Sequence, residues 1–100
     1  PSVTKVGGIT EFRKVSVLCE SLGIQIMPHS PYFGPGFLAT LQLLQSSISP
    51  GFVERLFVNL EANLYSESIL NPTKGTFSAP HGNGLGEDPD LDVIKTYLKK

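Results

Sequence analysis

The stretch Gly23-Ile24-Gln25-Ile26-Met27-Pro28-His29-Ser30 decides how this chain is read. Gly23 is the expected stop of a preceding helix. Ile24 to Met27 is a short apolar run, and Pro28-His29-Ser30 opens a loop rich in Gly and Pro. The run is expected to be a short buried strand with an imidazole at its C-terminal tip. In α/β barrels the loops that follow the strands form the open face where chemistry takes place.

Upstream, Gly7 and Gly8 make a tight turn and Thr10 is the expected N-cap of a helix over about residues 10–22. Phe12, Val15, Leu18, Cys19 and Leu22 recur at helical spacing and form its apolar stripe. Downstream, the loop Ser30-Pro31-Tyr32-Phe33-Gly34-Pro35-Gly36 leads into a second helix. Its buried side is Phe37, Leu38, Leu41, Leu44 and Leu43, with Gln42, Gln45 and Ser46 facing outward. It ends near Ser49-Pro50-Gly51, and Phe52 to Val58 reads as the next strand. Helix, strand, helix, strand with short links predicts a parallel sheet.

The remainder has another texture. Ile69-Leu70 and Thr76-Phe77-Ser78 flank Asn71-Pro72-Thr73-Lys74-Gly75, a hairpin signal. Pro80 to Gly86 is an irregular loop. Asp88 is the expected cap of a last short helix, with Pro89 at its first position, Leu91, Ile94 and Leu98 on its apolar face, and Lys99-Lys100 at its negative end. Parallel strands need helices on both faces or a closed barrel. Two and a half βα units cannot close one, and the chain opens at Pro1 without Met, so a segment of a longer protein is expected.

The 100 residues are 40% hydrophobic and 17% charged, the balance of an ordinary globular protein. A formal net charge of −1 offers no electrostatic reason for nucleic acid or an anionic membrane as partner. No apolar stretch is long enough to span a bilayer, and no secretory leader precedes the first helix. Cys19 is alone, which rules out an internal disulfide and fits a reducing, cytoplasmic setting.

Two side chains stand out chemically. His29 can give or take a proton near neutral pH, although a loop histidine can equally just cap backbone groups. Glu54 lies among Val53, Leu56 and Phe57, where a carboxylate must be paired, hydrogen-bonded or protonated. A basic group across the sheet, or Arg55, would satisfy it structurally. Ser2 and Lys5 precede the double glycine and are read first as turn residues. Gly82-Asn83-Gly84-Leu85-Gly86 lacks the strand–helix context of a dinucleotide loop. His81 reads as a loop residue and Cys19 as a small core residue. Glu87, Asp88, Asp90 and Asp92 read as capping and first-turn charge, and no His/Cys cluster suggests a metal.

At these residues the chain resembles the C-terminal part of a mandelate racemase/muconate lactonizing enzyme of the enolase superfamily. The matching pieces are Pro1-Ser2-Val3-Thr4-Lys5-Val6-Gly7-Gly8-Ile9-Thr10-Glu11, Gly23-Ile24 through Pro28-His29-Ser30, Val53-Glu54-Arg55-Leu56 and Gly84-Leu85-Gly86. The resemblance implies an α/β fold: the C-terminal fragment of a modified (β/α)7β TIM-type barrel, from the end of strand 6 to strand 8, plus a C-terminal hairpin and helix. Residues 1–60 would belong to the barrel, and residues 61–100 would form an extension packing towards a separate capping domain.

The same resemblance implies abstraction of the proton next to a carboxylate, giving an enediolate held by Mg²⁺, whose ligands are expected upstream. His29 would be a general acid/base and Glu54 would hydrogen-bond the developing enolate, its apolar flanks keeping it protonated. In mandelate racemase-like members the residue matching Ser2 is usually an aspartate that orients the histidine; a serine cannot stabilise imidazolium in that way. His29 is therefore expected to act chiefly as an acid, which points to a dehydratase of a sugar acid or related hydroxy acid. Racemases, epimerases and cycloisomerases of the superfamily are the enzymatic alternative. A non-catalytic barrel relative or a binding module is the alternative from another class. The expected partner is a small carboxylate substrate, and the full-length protein is expected to be a homo-oligomer.

Overall fold

The computed structural model describes residues 1–48 and 51–99. The described residues form α1 (Ile9–Ser21), α2 (Pro35–Gln45), α3 (Glu67–Leu70) and α4 (Leu91–Tyr97). No helix among them is long and apolar enough to cross a membrane. Ser49 and Pro50, where the sequence places the break after the second helix, lie outside the described residues, as does Lys100.

α2 is the central element. Phe37, Leu38, Ala39, Thr40, Leu41, Leu43 and Leu44 are all buried along its 11 residues. Pro35 starts it, two residues before the expected first core position, because its fixed φ suits the first turn and its missing N–H has no role there. Phe37, Leu38 and Leu41 pack with Tyr65, Ile69, Leu70 and Ala79. Phe77 meets Phe37 edge-on, with ring centroids 5.3 Å apart and planes at 78°. On its other side, Ala39 and Leu43 pack with Val3 and Phe12. Gln42, expected to face outward, instead donates through Nε2 to Pro80 O at 2.7 Å and Leu85 O at 3.2 Å. It clasps the Pro80–Gly86 loop onto the helix.

The expected strands do not form. Ile24 to Met27 and Phe52 to Val58 carry no regular secondary structure, and Val58 N donates back to Leu56 O at 3.0 Å. The two segments nevertheless run alongside each other in the same direction. A Cβ at Gly51 would lie 2.6 Å from Ile26 O, and further along Ser30 Oγ donates to Glu54 O at 2.8 Å. Side-chain bonds and van der Waals contact thus take the place of backbone pairing. The physical reason is exposure: Ile24, Met27, Phe52 and Phe57 are 54–78% exposed. Parallel pairing is stable only when both faces are covered.

Further expectations are corrected at element ends. α1 is N-capped at Gly8, with φ 98°, and not at Thr10; after the tight turn of Gly7 and Gly8 the helix begins at Ile9. It does stop as expected, with Gly23 at φ 68° just beyond the Leu22 C-cap. Of its apolar stripe only Phe12 is buried; Val15 and Cys19 are half-buried, and Leu18 and Leu22 are exposed. Cys19 is thus at the edge of the core and not within it. Ile69-Leu70 belong to α3, so the hairpin shrinks to one antiparallel bridge, Thr73 to Thr76, across Lys74 and Gly75, both at positive φ.

The cap of α4 is Asp90 and not Asp88. Asp90 Oδ1 accepts from Asp92 N at 2.8 Å and Val93 N at 3.2 Å, satisfying two orphan donors that Asp88 is too far back to reach. Leu91 and Leu98 are exposed while Ile94 is half-buried, so the apolar face of α4 is only partly covered.

Leu38→Ala in α2 is expected to cost about 2–5 kcal/mol, the usual loss for a fully buried leucine. Leu18→Ala in α1, at a 60% exposed site, is expected to cost less than about 1 kcal/mol. Urea unfolding of the two variants checks the assignment of the core.

Candidate active site

His29 and Glu54 meet. Nδ1 of His29 lies 2.7 Å from Oε2 of Glu54. The backbone N–H of Ser30 donates to the same carboxylate oxygen at 3.2 Å, while Ser30 Oγ holds the Glu54 carbonyl. Ser30 is fully buried, so one side chain pins the backbone of one residue of the pair while standing next to the other. His29 N in turn donates to Pro1 O at 2.9 Å. The His29–Ser30 segment therefore lies between the first residues of the chain and the Glu54 segment.

The His29 and Glu54 side chains are 51% and 42% exposed. A pair that open adds at most about 1 kcal/mol to folding. Its significance is orientation: with Nδ1 on the carboxylate, Nε2 is the nitrogen left for chemistry. Both bonds to the Glu54 carboxyl fall on Oε2, which leaves Oε1 for a ligand. The structural alternative of a Glu54–Arg55 pair is not what forms. Arg55 lies over the Phe33 ring, 4.5 Å from its centroid, and its Nε donates to Leu70 O at 2.7 Å. Burial lowers its pKa.

Ser2 is buried and lies beside Tyr32. Its hydroxyl hydrogen-bonds Tyr32 OH and sits 3.2 Å from Thr4 Oγ1, which itself donates to Tyr32 OH at 2.7 Å. These bonds hold the Tyr32 hydroxyl below the usual phenol range. Ser2 contributes most, Thr4 next, and the Lys5 charge adds to them against desolvation and the Glu54 charge. Sequence reasoning picked out Ser2 but missed Ser30, Thr4 and Tyr32. Their only signal was position, close to His29 and to the double glycine.

His81 is exposed on the rim of a groove of about 640 Å³ lined by Leu41, Phe52, Phe77 and Ala79 among others, separate from His29 and Glu54. Glu87 accepts from Ser66 N, and Asp92 pairs with Lys95 at 3.2 Å. Among the described residues no three His, Cys, Asp or Glu side chains come together to hold a metal. The residues present therefore do not fit the Mg²⁺ that the resemblance implies, and no step here runs through it.

The chain matches the family model described as enolase C-terminal domain-like over residues 1–93. It belongs to that family. No curated protein and no solved structure gave a match.

The three tyrosines are expected to ionise in separate steps. Burial, with Glu87 and Asp88 nearby, raises Tyr65; desolvation and Glu61 raise Tyr97. A lowered phenol pKa adds stability above the unfolded value, and that stability is lost as pH falls through the lowered value. Raised ones add stability below the unfolded value, lost as pH climbs through the raised values. Phenolate absorbance should therefore rise first by one tyrosine, below about pH 10, and then by two. Tyr32→Phe should remove the first step, and Thr4→Val should delay it.

Proposed function

We propose that the chain carries the acid/base end of an active site that makes an enediolate from a carboxylate substrate. The observation that supports this is the 2.7 Å contact of His29 Nδ1 with Glu54 Oε2. A carboxylate on Nδ1 fixes the tautomer and aims Nε2 outward for proton transfer. Oε1 of the same group is left to meet a substrate oxygen. One pair thus handles the proton and the developing charge together.

The substrate class is a sugar acid or related hydroxy acid, and the first reading is dehydration with His29 delivering a proton to the departing hydroxyl. The chain is read as residues 1–60 of a barrel segment followed by an extension, within a longer and oligomeric protein. The exposed apolar side chains Val17, Leu22, Met27 and Phe52 support that reading, because they need cover that the described residues do not supply. The Mg²⁺ ligands are assigned to residues outside this chain.

A second reading, racemisation or epimerisation, is favoured by the same contact. The serine at Ser2 points to a histidine acting chiefly as an acid, yet Glu54 provides a carboxylate partner that orients the ring for proton abstraction as well.

The test uses His29→Asn and Glu54→Gln in the full-length protein, with Mg²⁺ and a panel of hexonic and hexaric acids in D₂O. Each variant is expected to lose at least about 10²-fold in turnover, the scale of general acid/base catalysis. Release of a 2-keto acid marks the dehydratase, and deuterium in recovered substrate without loss of water marks the racemase. Turnover unchanged in His29→Asn sinks the proposal.

A further inference from the structure

We propose that Tyr32 is a further proton donor of this site, its hydroxyl gripped by Ser2 and Thr4 so that it bonds and protonates a substrate oxygen beside His29. This rests on the reading of His29 and Glu54 just given. Tyr32 sits on the loop that carries His29, and its backbone N–H donates to Ser30 O at 2.8 Å. Ser30 is the residue that anchors Glu54. Across the loop, Pro1 O accepts the His29 N–H, Ser2 bonds the Tyr32 hydroxyl, and Thr4 Oγ1 donates to it. His29, Glu54 and Tyr32 are thus tied to one another through a few short backbone links.

The hydrogen-bond inventory accommodates outward donation by the phenol, with Thr4 fixed as a donor to it and Ser2 able to be a second. A phenol oxygen has two acceptor positions and one proton. Thr4 Oγ1 donates into it at 2.7 Å, and Ser2 Oγ also bonds it. When Ser2 donates as well, both acceptor positions are filled and the phenol proton is left for an outside acceptor. Ser2 is 6% exposed, so its hydroxyl has little access to water and serves the phenol.

The backbone makes room for this arrangement. A Cβ at Gly36 would lie 2.6 Å from Thr4 Cγ2 and 3.5 Å from Tyr32 Cδ2, so the missing side chain lets both approach. The Tyr32 ring packs against the Phe37 cluster, which holds the hydroxyl in place.

In the step, the Tyr32 O–H bond breaks and its electron pair stays on the phenolate oxygen. The proton, in place of the one the dehydration reading takes from His29, bonds to the substrate hydroxyl oxygen. The C–O pair leaves with that oxygen as water, and the enediolate electron pair, left when the proton next to the carboxylate went to His29, forms the new carbon–carbon double bond. Ser2 and Thr4 then hold the phenolate charge, consistent with the lowered phenol range they produce. The charged groups acting on Tyr32 are Lys5, which favours the phenolate, and Glu54, which opposes it. His29 is the other titratable group on its loop. Tyr32 is only half-buried, so solvent can return the proton.

The experiment compares Tyr32→Phe, Ser2→Ala and His29→Asn in the full-length protein, with Mg²⁺ and the same acid panel, following 2-keto acid against pH. Tyr32→Phe keeps the ring packing and is expected to lower kcat about 10²-fold and to abolish the alkaline fall in the kcat profile. Ser2→Ala is expected to move that fall to higher pH, which a purely structural tyrosine would not do. An alkaline limb unchanged in both variants, with His29→Asn inactive, overturns the role of Tyr32 alone. Activity retained in His29→Asn overturns the reading beneath it.

Discussion

Burial of α2 on both flanks is the constraint on which the rest of the structure depends. Phe37 and Leu38 are fully buried on one side of the helix network, and Ala39 and Leu43 face the other cluster. Each large apolar side chain buried in this way stabilises the fold by about 1.5–3 kcal/mol. The exposed ion pairs add at most about 1 kcal/mol each. Thr40 is tolerated inside because its hydroxyl returns to Gly36 O at 2.8 Å. Packing therefore places the helix, and the helix places the loop before it, which carries His29, Ser30 and Tyr32.

Polar contacts then arrange the site within that frame. Ser30 is the pivot: its N–H and its hydroxyl both hold Glu54, at the carboxylate and at the backbone carbonyl, and its own carbonyl accepts from Tyr32 N. A fully buried hydroxyl must be bonded, so a serine that satisfies its own needs through Glu54 fixes the Glu54 backbone as a consequence. Gly36 has the complementary role, being small enough for Thr4 and Tyr32 to meet. The site is thus assembled from three separated segments whose mutual bonds run through short side chains and not through a β-ladder.

The exposed apolar side chains of α1, α4 and the two unpaired segments share one cause with the missing strands. Side chains such as Leu22, Ile24 and Leu98 stay more than half exposed. Strands flanked by such open faces gain little from pairing, so no sheet forms among the described residues. His29 lies between Pro1, which accepts its N–H, and Glu54, which meets its ring.

Much of the local structure was legible in the residues themselves. The apolar run from Phe37 to Leu44 marked the core helix and Gly23 marked the end of α1, whereas the buried setting expected for Glu54 does not form, because Leu56 and Phe57 are 47% and 78% exposed. Element starts were less legible, since Thr10 and Asp88 looked like caps but Gly8 and Asp90 had the better geometry. What only the tertiary structure decided was pairing: Glu54 with His29, Gln42 with Pro80 and Leu85, Ser2 and Thr4 with Tyr32. Periodicity and capping act over a few residues, so a sequence displays them directly. Contacts between residues distant along the chain depend on how buried faces dock, and that is settled only when α2 brings the three segments together.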